Sequence, residues 1–174
     1  MLPRDQVSYS LFQSTEEFKG FRCEKPGYVD FVCKPEEALK HQKENLTVTY
    51  VFWDKDRPIG YVALATGSLR KAEMPSEIGK QKPYQHIPCI LLGQMARDVN
   101  YKRQGVGKIM VDFAISTARQ IAEKVGCRYV ILDAELDKVE LYKGFGFQEV
   151  PRGEGGKTCV MYFDLGFREE PQTN

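Results

Sequence analysis

A chain of 174 residues with 42% apolar and 28% charged side chains has the size and composition of one globular domain with its own core. Its 25 basic and 24 acidic residues leave a net charge of +1, which excludes a global field for capturing nucleic acid or anionic membrane but allows a local basic patch. No apolar run approaches the roughly 20 residues of a membrane span and the N-terminus lacks a signal-type apolar segment, so a cytoplasmic protein without a membrane partner is expected.

Five cysteines, Cys23, Cys33, Cys89, Cys127 and Cys159, stand at wide spacing with no C-x-x-C pair. That pattern argues against a disulfide framework and against a zinc site, so free thiols and no bound metal are expected.

In chain order, QVSYSLF (6–12) alternates as a first strand. Ser14 followed by Glu17 has capping-box spacing and predicts a short helix over STEEFKGF. PEEALKHQKE opens on Pro35, where a first helical turn tolerates proline, and continues in good helix formers. LTVTYVFW (46–53) and PIGYVALATGSL (58–69) are β-branched and aromatic, and the turn DKDR makes them a hairpin. Residues 70–86, with two prolines and many charges, predict a surface excursion. ILLGQMARDV (90–99) reads as the next strand.

A helix is predicted to begin at Lys108, with Ile109, Met110, Phe113, Ala114, Ala118, Ile121, Ala122 and Val125 at helical spacing, and to stop at Gly126. CRYVILDAEL (127–136) is a strand, Asp137–Gly144 a short helix, and FGFQEV (145–150) with TCVMYFDLGF (158–167) a closing hairpin. GEGGKT (153–158) imitates the end of a phosphate-binding Walker motif, but Pro151 stands where its first glycine belongs and a strand follows, so it reads as the hairpin turn.

The stretch YKRQGVGKIM (101–110) sits between strand and helix. Gly105 and Gly107 permit close approach of another group, and the amides of the first helical turn, with Lys102, Arg103 and Lys108 nearby, suit a pyrophosphate. Met110 occupies the place of the third glycine of a dinucleotide fingerprint, which excludes that reading.

Two stretches together, Lys102-Arg103-Gln104-Gly105-Val106-Gly107 opening a helix and LYKGFGF (141–147) after the next strand, resemble the acetyl-CoA-binding segment and the tyrosine element of the GNAT superfamily of N-acetyltransferases. The resemblance covers roughly residues 6–165. It implies an α/β (α+β) GNAT fold: one domain over 1–174, a mostly antiparallel mixed sheet flanked by helices, and a frayed tail at 168–174. FRCEKPGYVDFV, IGYVALATGSL and IPCILLGQMARD are similar to the branch containing toxins that acetylate aminoacyl-tRNA, although Glu24 replaces a glycine of that branch's F-x-C-G.

The implied activity is transfer of an acetyl group from acetyl-CoA directly to a primary amine, with the acceptor open among a small molecule, a protein and aminoacyl-tRNA. A non-catalytic CoA-binding module is the alternative of a different class. By resemblance, Tyr142 is the acid that protonates the departing thiolate. Met95, Ala96 and Arg97 pair with the pantetheine arm, and the amides of Gln104, Gly105, Val106, Gly107 and Lys108 hold the pyrophosphate beside Lys102 and Arg103. Glu135 stands where the family often has a cofactor-binding asparagine; flanked by Asp133 and Asp137, it could instead attract a cationic amine, relay its proton, or stand solvated. His41, Glu73, His86 and Asp98 are general-base candidates by residue type alone. Lys102, Arg103, Lys138 and Lys143 could gather at the cofactor mouth. A homodimer and an antitoxin partner are expected by analogy.

Overall fold

The strands of this chain are apolar at both parities because the sheet they form is covered on both faces. The computed structural model describes residues 2–34, 37–75, 77, 80–81, 83–151 and 156–166. It contains strands β1 (Val7–Leu11), β2 (Val48–Asp54), β3 (Arg57–Arg70), β4 (His86–Arg97), β5 (Tyr129–Glu135), β6 (Gln148–Glu149) and β7 (Thr158–Asp164). Helices α1 (Pro26–Cys33), α2 (Ala38–Lys43), α3 (Val106–Lys124) and α4 (Val139–Gly144) accompany them. The sheet order is β1-β2-β3-β4-β5-β7-β6, antiparallel except where β4 meets β5. This is the expected α+β architecture, a mixed sheet flanked by helices.

Alternation along each strand deals side chains to the two layers. On β2 and β3, Phe52, Val62 and Leu64 join the core under α3, while Val51, Tyr61 and Ala63 join the core under α1 and α2. Val106, Met110, Val111, Ala114, Ile115 and Ala118 are the buried stripe of α3. Each large side chain fully buried in this way stabilises the fold by roughly 1.5–3 kcal/mol before entropy. Tyr61 anchors the second layer: its hydroxyl donates to the Tyr28 carbonyl at 2.6 Å, and Phe18, Phe21 and Phe31 surround its ring.

The feature that makes a site is the parting of β4 from β5. Their parallel pairing is confined to Cys89↔Tyr129, Ile90↔Val130 and Leu91↔Ile131, although β4 runs on to Arg97 and β5 to Glu135. At the point of separation Leu92 faces Leu64 and Gln94 faces Ala63, so Gly93 is an extra residue in β4. Such a bulge bends a strand and turns it from its neighbour. Beyond it, β4 stays paired with β3 through Arg97↔Gly60, but its other edge faces a cleft.

Several boundaries differ from expectation. Helix α1 was not foreseen: PGYVDFVC carries four β-branched or aromatic residues, yet Pro26 serves as its first residue and tertiary burial of Phe31 and Val32 holds it. The capping box at Ser14 and Glu17 forms, with Ser14 accepting from Glu16 N, but it opens a single 3-10 turn over Thr15–Phe18. The second helix begins at Ala38, and residues 35–36 lie outside those described. Strand β4 begins four residues earlier than ILLGQ, at His86. Helix α3 starts at Val106 rather than Lys108 and ends at Lys124 by an extended Val125, so Gly126 is not its left-handed cap. The buried stripe is also rotated: Val111 and Ile115 belong to it, whereas Val125 is 66% exposed. The closing hairpin's first strand shrinks to Gln148–Glu149; residues 152–155 of its turn and the tail from 167 lie outside the described set.

Candidate active site

The cleft between the parted strands is a cavity of about 960 Å³, at the upper end of the usual range for ligand sites. One wall is the free edge of β4, represented by Met95, Ala96 and Arg97. In a strand, alternate backbone N–H and C=O groups point to opposite sides, so an edge without a neighbour presents donors and acceptors to whatever enters.

The end of this cleft is closed by the loop 101–105 and the start of α3. Arg103 (φ 60°) and Gly105 (φ 85°) are both left-handed, and the pair of reversals turns the chain sharply into the helix. Gly105 is the N-cap and supplies no side-chain acceptor. The first intrahelical bond runs from Ile109 N to Gly105 O at 3.1 Å, so among the described residues the amides of Val106, Gly107 and Lys108 have no acceptor. Unpartnered amides at the positive end of a 19-residue helix are an anion site. A Cβ built on Gly107 would meet nothing within 4 Å, so the space before it is open. Together with the free strand edge, these features fit a long ligand with amides in its arm and a pyrophosphate at its end.

On the opposite wall, α4 follows β5 and sets Tyr142 against Phe145 and Phe147, with ring centroids 6.3 and 5.9 Å away. The Tyr142 ring lines the cavity, and no described residue hydrogen-bonds its hydroxyl. Burial first, then the neighbouring Tyr28 and Glu135 oxygens, push that phenol up to about 12, so it is a proton donor throughout the neutral range. Glu135, at the end of β5, accepts from the Tyr28 hydroxyl at 3.4 Å and forms an ion pair with Lys25.

Cys23, Glu24, Lys25 and Tyr28 form a third side of the site that sequence reading left without a role. Their anchor is Asp98, fully buried at the end of β4. Its carboxylate accepts from Arg22 N at 3.0 Å, Asn100 N at 2.9 Å and Asn100 Nδ2 at 2.7 Å, and lies 3.5 Å from the Arg57 guanidinium. Val99 N returns a bond to Arg22 O at 2.8 Å. Residues 23–25 are thereby suspended over the cleft. The signal available in the sequence was the FRCEKPGYVDFV stretch, whose chemistry becomes visible only when α1 brings it against β5.

Of the residues singled out from the sequence, Met95, Ala96, Arg97, Lys102, Arg103, Gly105, Val106, Gly107, Lys108, Glu135 and Tyr142 all line this one cavity. Gln104 does not: its amide donates to Tyr101 O at 3.3 Å and its side chain to Asn100 O at 3.0 Å, because the reversal at Arg103 turns it out of the cleft. Lys138 also lines the cavity, whereas Lys143 is taken by Glu140 and Glu149 at 2.8 and 2.7 Å. Among the base candidates, Asp98 is committed to structure, Glu73 to Arg70, and His41 to the Phe31 ring. His86 starts β4, at the end opposite the cleft. Among the described residues no His, Cys, Asp and Glu cluster could hold a metal, and no helix is long and apolar enough to cross a membrane.

A bulged strand parting from its parallel neighbour, an open amide nest and a cavity-facing tyrosine define an acyltransferase-type fold built around a CoA thioester. Residues 45–149 match the acetyltransferase (GNAT) domain family, and the chain belongs to it. It is a GNAT acetyltransferase, and its cosubstrate is acetyl-CoA. Over 137 residues it is 27% identical to a tRNA-acetylating toxin of Mycobacterium tuberculosis, covering 78% of this chain and 81% of the relative. Its fold is shared with AtaT complexed with acetyl-methionyl-tRNAfMet (TM-score 0.79, 20% identity, 91% of this chain and 94% of that one). It is shared too with a mutant AtaT toxin bound to the C-terminus of the antitoxin AtaR and acetyl-CoA (TM-score 0.73, 17% identity, 92% and 94%).

Proposed function

We propose that this chain acetylates the primary amine of aminoacyl-tRNA in the cytoplasm, with Tyr142 as the general acid. The observation that carries the chemistry is a phenol without a hydrogen-bond partner among the described residues, facing across one cavity the free edge of β4 and the open amides of α3. The β4 edge from Met95 to Arg97 aligns the pantetheine arm. The amides of Val106, Gly107 and Lys108, with Arg103 beside them, hold the pyrophosphate. In the transfer the neutral amine nitrogen forms a bond to the acetyl carbon, the C–S bond breaks, the phenol proton of Tyr142 goes to sulfur, and the proton lost by the nitrogen restores the phenol.

What supports the acceptor is the similarity to a tRNA-acetylating toxin, together with a cation-rich mouth. Arg4, Lys25, Arg97, Lys102, Arg103, Lys108 and Lys138 border the cavity against Glu24, Asp112, Asp133 and Glu135. Locally, then, the balance is basic although the whole chain is nearly neutral, which suits phosphate contacts. An antitoxin partner belongs to the same reading, since a neighbour of the same fold is bound by one. The homodimer rests on a different observation: Leu11, Leu46 and Val48 are exposed where β1 leaves the sheet edge unpaired.

The direct test is to incubate the purified chain with radiolabelled acetyl-CoA and bulk tRNA charged with mixed amino acids. Label is expected in the tRNA fraction, to be released by mild alkali as N-acetyl amino acid. Its absence there, with label instead appearing on protein lysines or small polyamines, would remove the tRNA reading.

A further inference from the structure

Glu24 and Lys25 are adjacent in the chain, opposite in charge, and each held on the cavity wall by groups of the other sign. Glu24 meets Lys102 at 2.8 Å, Arg97 at 3.7 Å and Lys138 at 3.8 Å. These three cations come from the loop before α3, the end of β4 and the turn after β5, so separate segments converge on one carboxylate. Lys25 pairs with Glu135, which also accepts from the Tyr28 hydroxyl at 3.4 Å, on the side of the cavity where Tyr142 stands. A primary ammonium therefore already lies at a carboxylate whose charge reaches the expected acid, with an anion seated in a cationic cradle beside it.

We propose that Glu24 and Lys25 are an internal surrogate for the acceptor. Glu135 and Tyr28 form the subsite for the acceptor's ammonium, while Arg97, Lys102 and Lys138 form the subsite for a phosphate carried near it. The acceptor binds by displacing the two side chains. This inference rests on the acetyl-transfer reading and deepens it: the acceptor class becomes an amine with an adjacent phosphate rather than a simple amine. Glu24, Lys25, Lys102 and Lys138 are all partly exposed, and ion pairs of that kind are weak, so an incoming substrate can exchange for them. Of the two protons that the ammonium loses in forming an amide, one in net terms ends on sulfur by way of Tyr142. The other leaves to solvent by way of Glu135. The charge of Lys25 itself is held up by Glu135, which keeps its amine protonated and not a nucleophile.

The same cations could instead serve the phosphates of acetyl-CoA, and the experiment separates the two sources. Initial rates are measured for the full chain and for Glu24→Gln, Lys25→Gln and Lys138→Gln, after thermal unfolding has shown each variant folded. Two acceptors are used: mixed aminoacyl-tRNA, and an amino-acid amide that has the ammonium but no phosphate. Displacing a weak internal competitor corresponds to about a three- to tenfold change. Glu24→Gln should lower KM for aminoacyl-tRNA by that factor and leave KM for the amide unchanged. Lys25→Gln should lower both, and Lys138→Gln should raise only the KM for aminoacyl-tRNA. In all three, KM for acetyl-CoA should stay within about twofold.

Unchanged or raised acceptor KM in both Glu24→Gln and Lys25→Gln overturns the surrogate. A change in acetyl-CoA KM with none in acceptor KM also overturns it, and assigns the cations to the cosubstrate. If aminoacyl-tRNA is not acetylated by any form but the amide is, the tRNA reading fails while Lys25→Gln on the amide still decides the surrogate. If neither acceptor is acetylated, fluorescence anisotropy with bulk tRNA decides: tighter binding by Glu24→Gln supports the phosphate subsite, and unchanged or weaker binding overturns it.

Discussion

Replacing Tyr142 by phenylalanine is the sharpest perturbation that the site allows, because it takes away one oxygen and nothing else. The ring keeps its edge-on neighbours Phe145 and Phe147, and no described residue loses a hydrogen bond. Stability should therefore move by no more than about 0.5 kcal/mol. Catalysis should not be spared. With the phenol pushed up to about 12, roughly one molecule in ten thousand is ionised at pH 8, so the donor is essentially always loaded. General acid catalysis is typically worth about 10²–10⁴-fold, or about 2.7–5.5 kcal/mol in the barrier. A phenol this weakly acidic transfers its proton late, so the loss is expected nearer 10²-fold than 10⁴-fold. The assay is CoA release under saturating acetyl-CoA, with acetyl-CoA affinity from calorimetry and the midpoint of urea unfolding measured in parallel. Retention of kcat within about threefold, with affinity and midpoint unchanged, would refute the role of Tyr142.

Gly107→Ala should separate stability from binding: the new Cβ meets no protein atom within 4 Å, so the urea midpoint should hold or rise, while the calorimetric Kd for acetyl-CoA rises at least about tenfold. Gly60→Ala should do the reverse. Its Cβ would lie 2.7 Å from Met110 Sδ and 2.8 Å from the Ala96 carbonyl, and the strain should cost about 1–3 kcal/mol in urea unfolding. Asp98→Ala strips two backbone amides and the Asn100 side chain of their buried acceptor, and is expected to destabilise by about 2–4 kcal/mol and to leave residues 23–25 more open to protease. Alkali should unfold the protein. The Tyr142 phenol and the Cys89 thiol are each pushed up to about 12, chiefly by burial, so the native state binds more protons than the unfolded state once the unfolded groups titrate. Their contribution is complete below about pH 8.5, falls as the unfolded thiol and then the unfolded phenol titrate, and is lost by about pH 12. A urea midpoint flat from pH 8 to 11 would contradict that sign.

Legibility followed the range of the interactions concerned. The glycine loop, the tyrosine element and the helix between them are local, so the resemblance to the GNAT motifs could place Gly105, Gly107, Lys108 and Tyr142 in order, and the fold brings them to one cavity. Gln104 could not be separated from its neighbours, because the turn at Arg103 that removes it from the cleft needs a left-handed residue that sequence does not mark. The stripe of α3 was misjudged by about one residue because apolar positions on two adjoining faces, Ile109 and Phe113 against Val111 and Ile115, fit the same period. Helix α1 was missed because Tyr28, Val29, Phe31 and Val32 favour strands in isolation, and only the packing of Phe31 against Tyr61, 5.9 Å between rings, overrides that preference.

That last miss had the largest consequence, since α1 and the residues before it set Glu24, Lys25 and Tyr28 on the cavity wall. A sheet that splits between β4 and β5 supplies a slot for the cosubstrate but leaves the slot open at the top. The chain closes it with a segment whose position depends on one buried carboxylate. Asp98 follows β4, caps the turn leading to the glycine loop, and binds Arg22, so the geometry of that loop and that of Glu24 and Lys25 are set by the same atom group. The loop's own Lys102 then bonds back to Glu24. Glu24→Gln therefore releases Lys102 without touching Asp98, so the loop keeps its geometry and its hold on acetyl-CoA while the acceptor side opens.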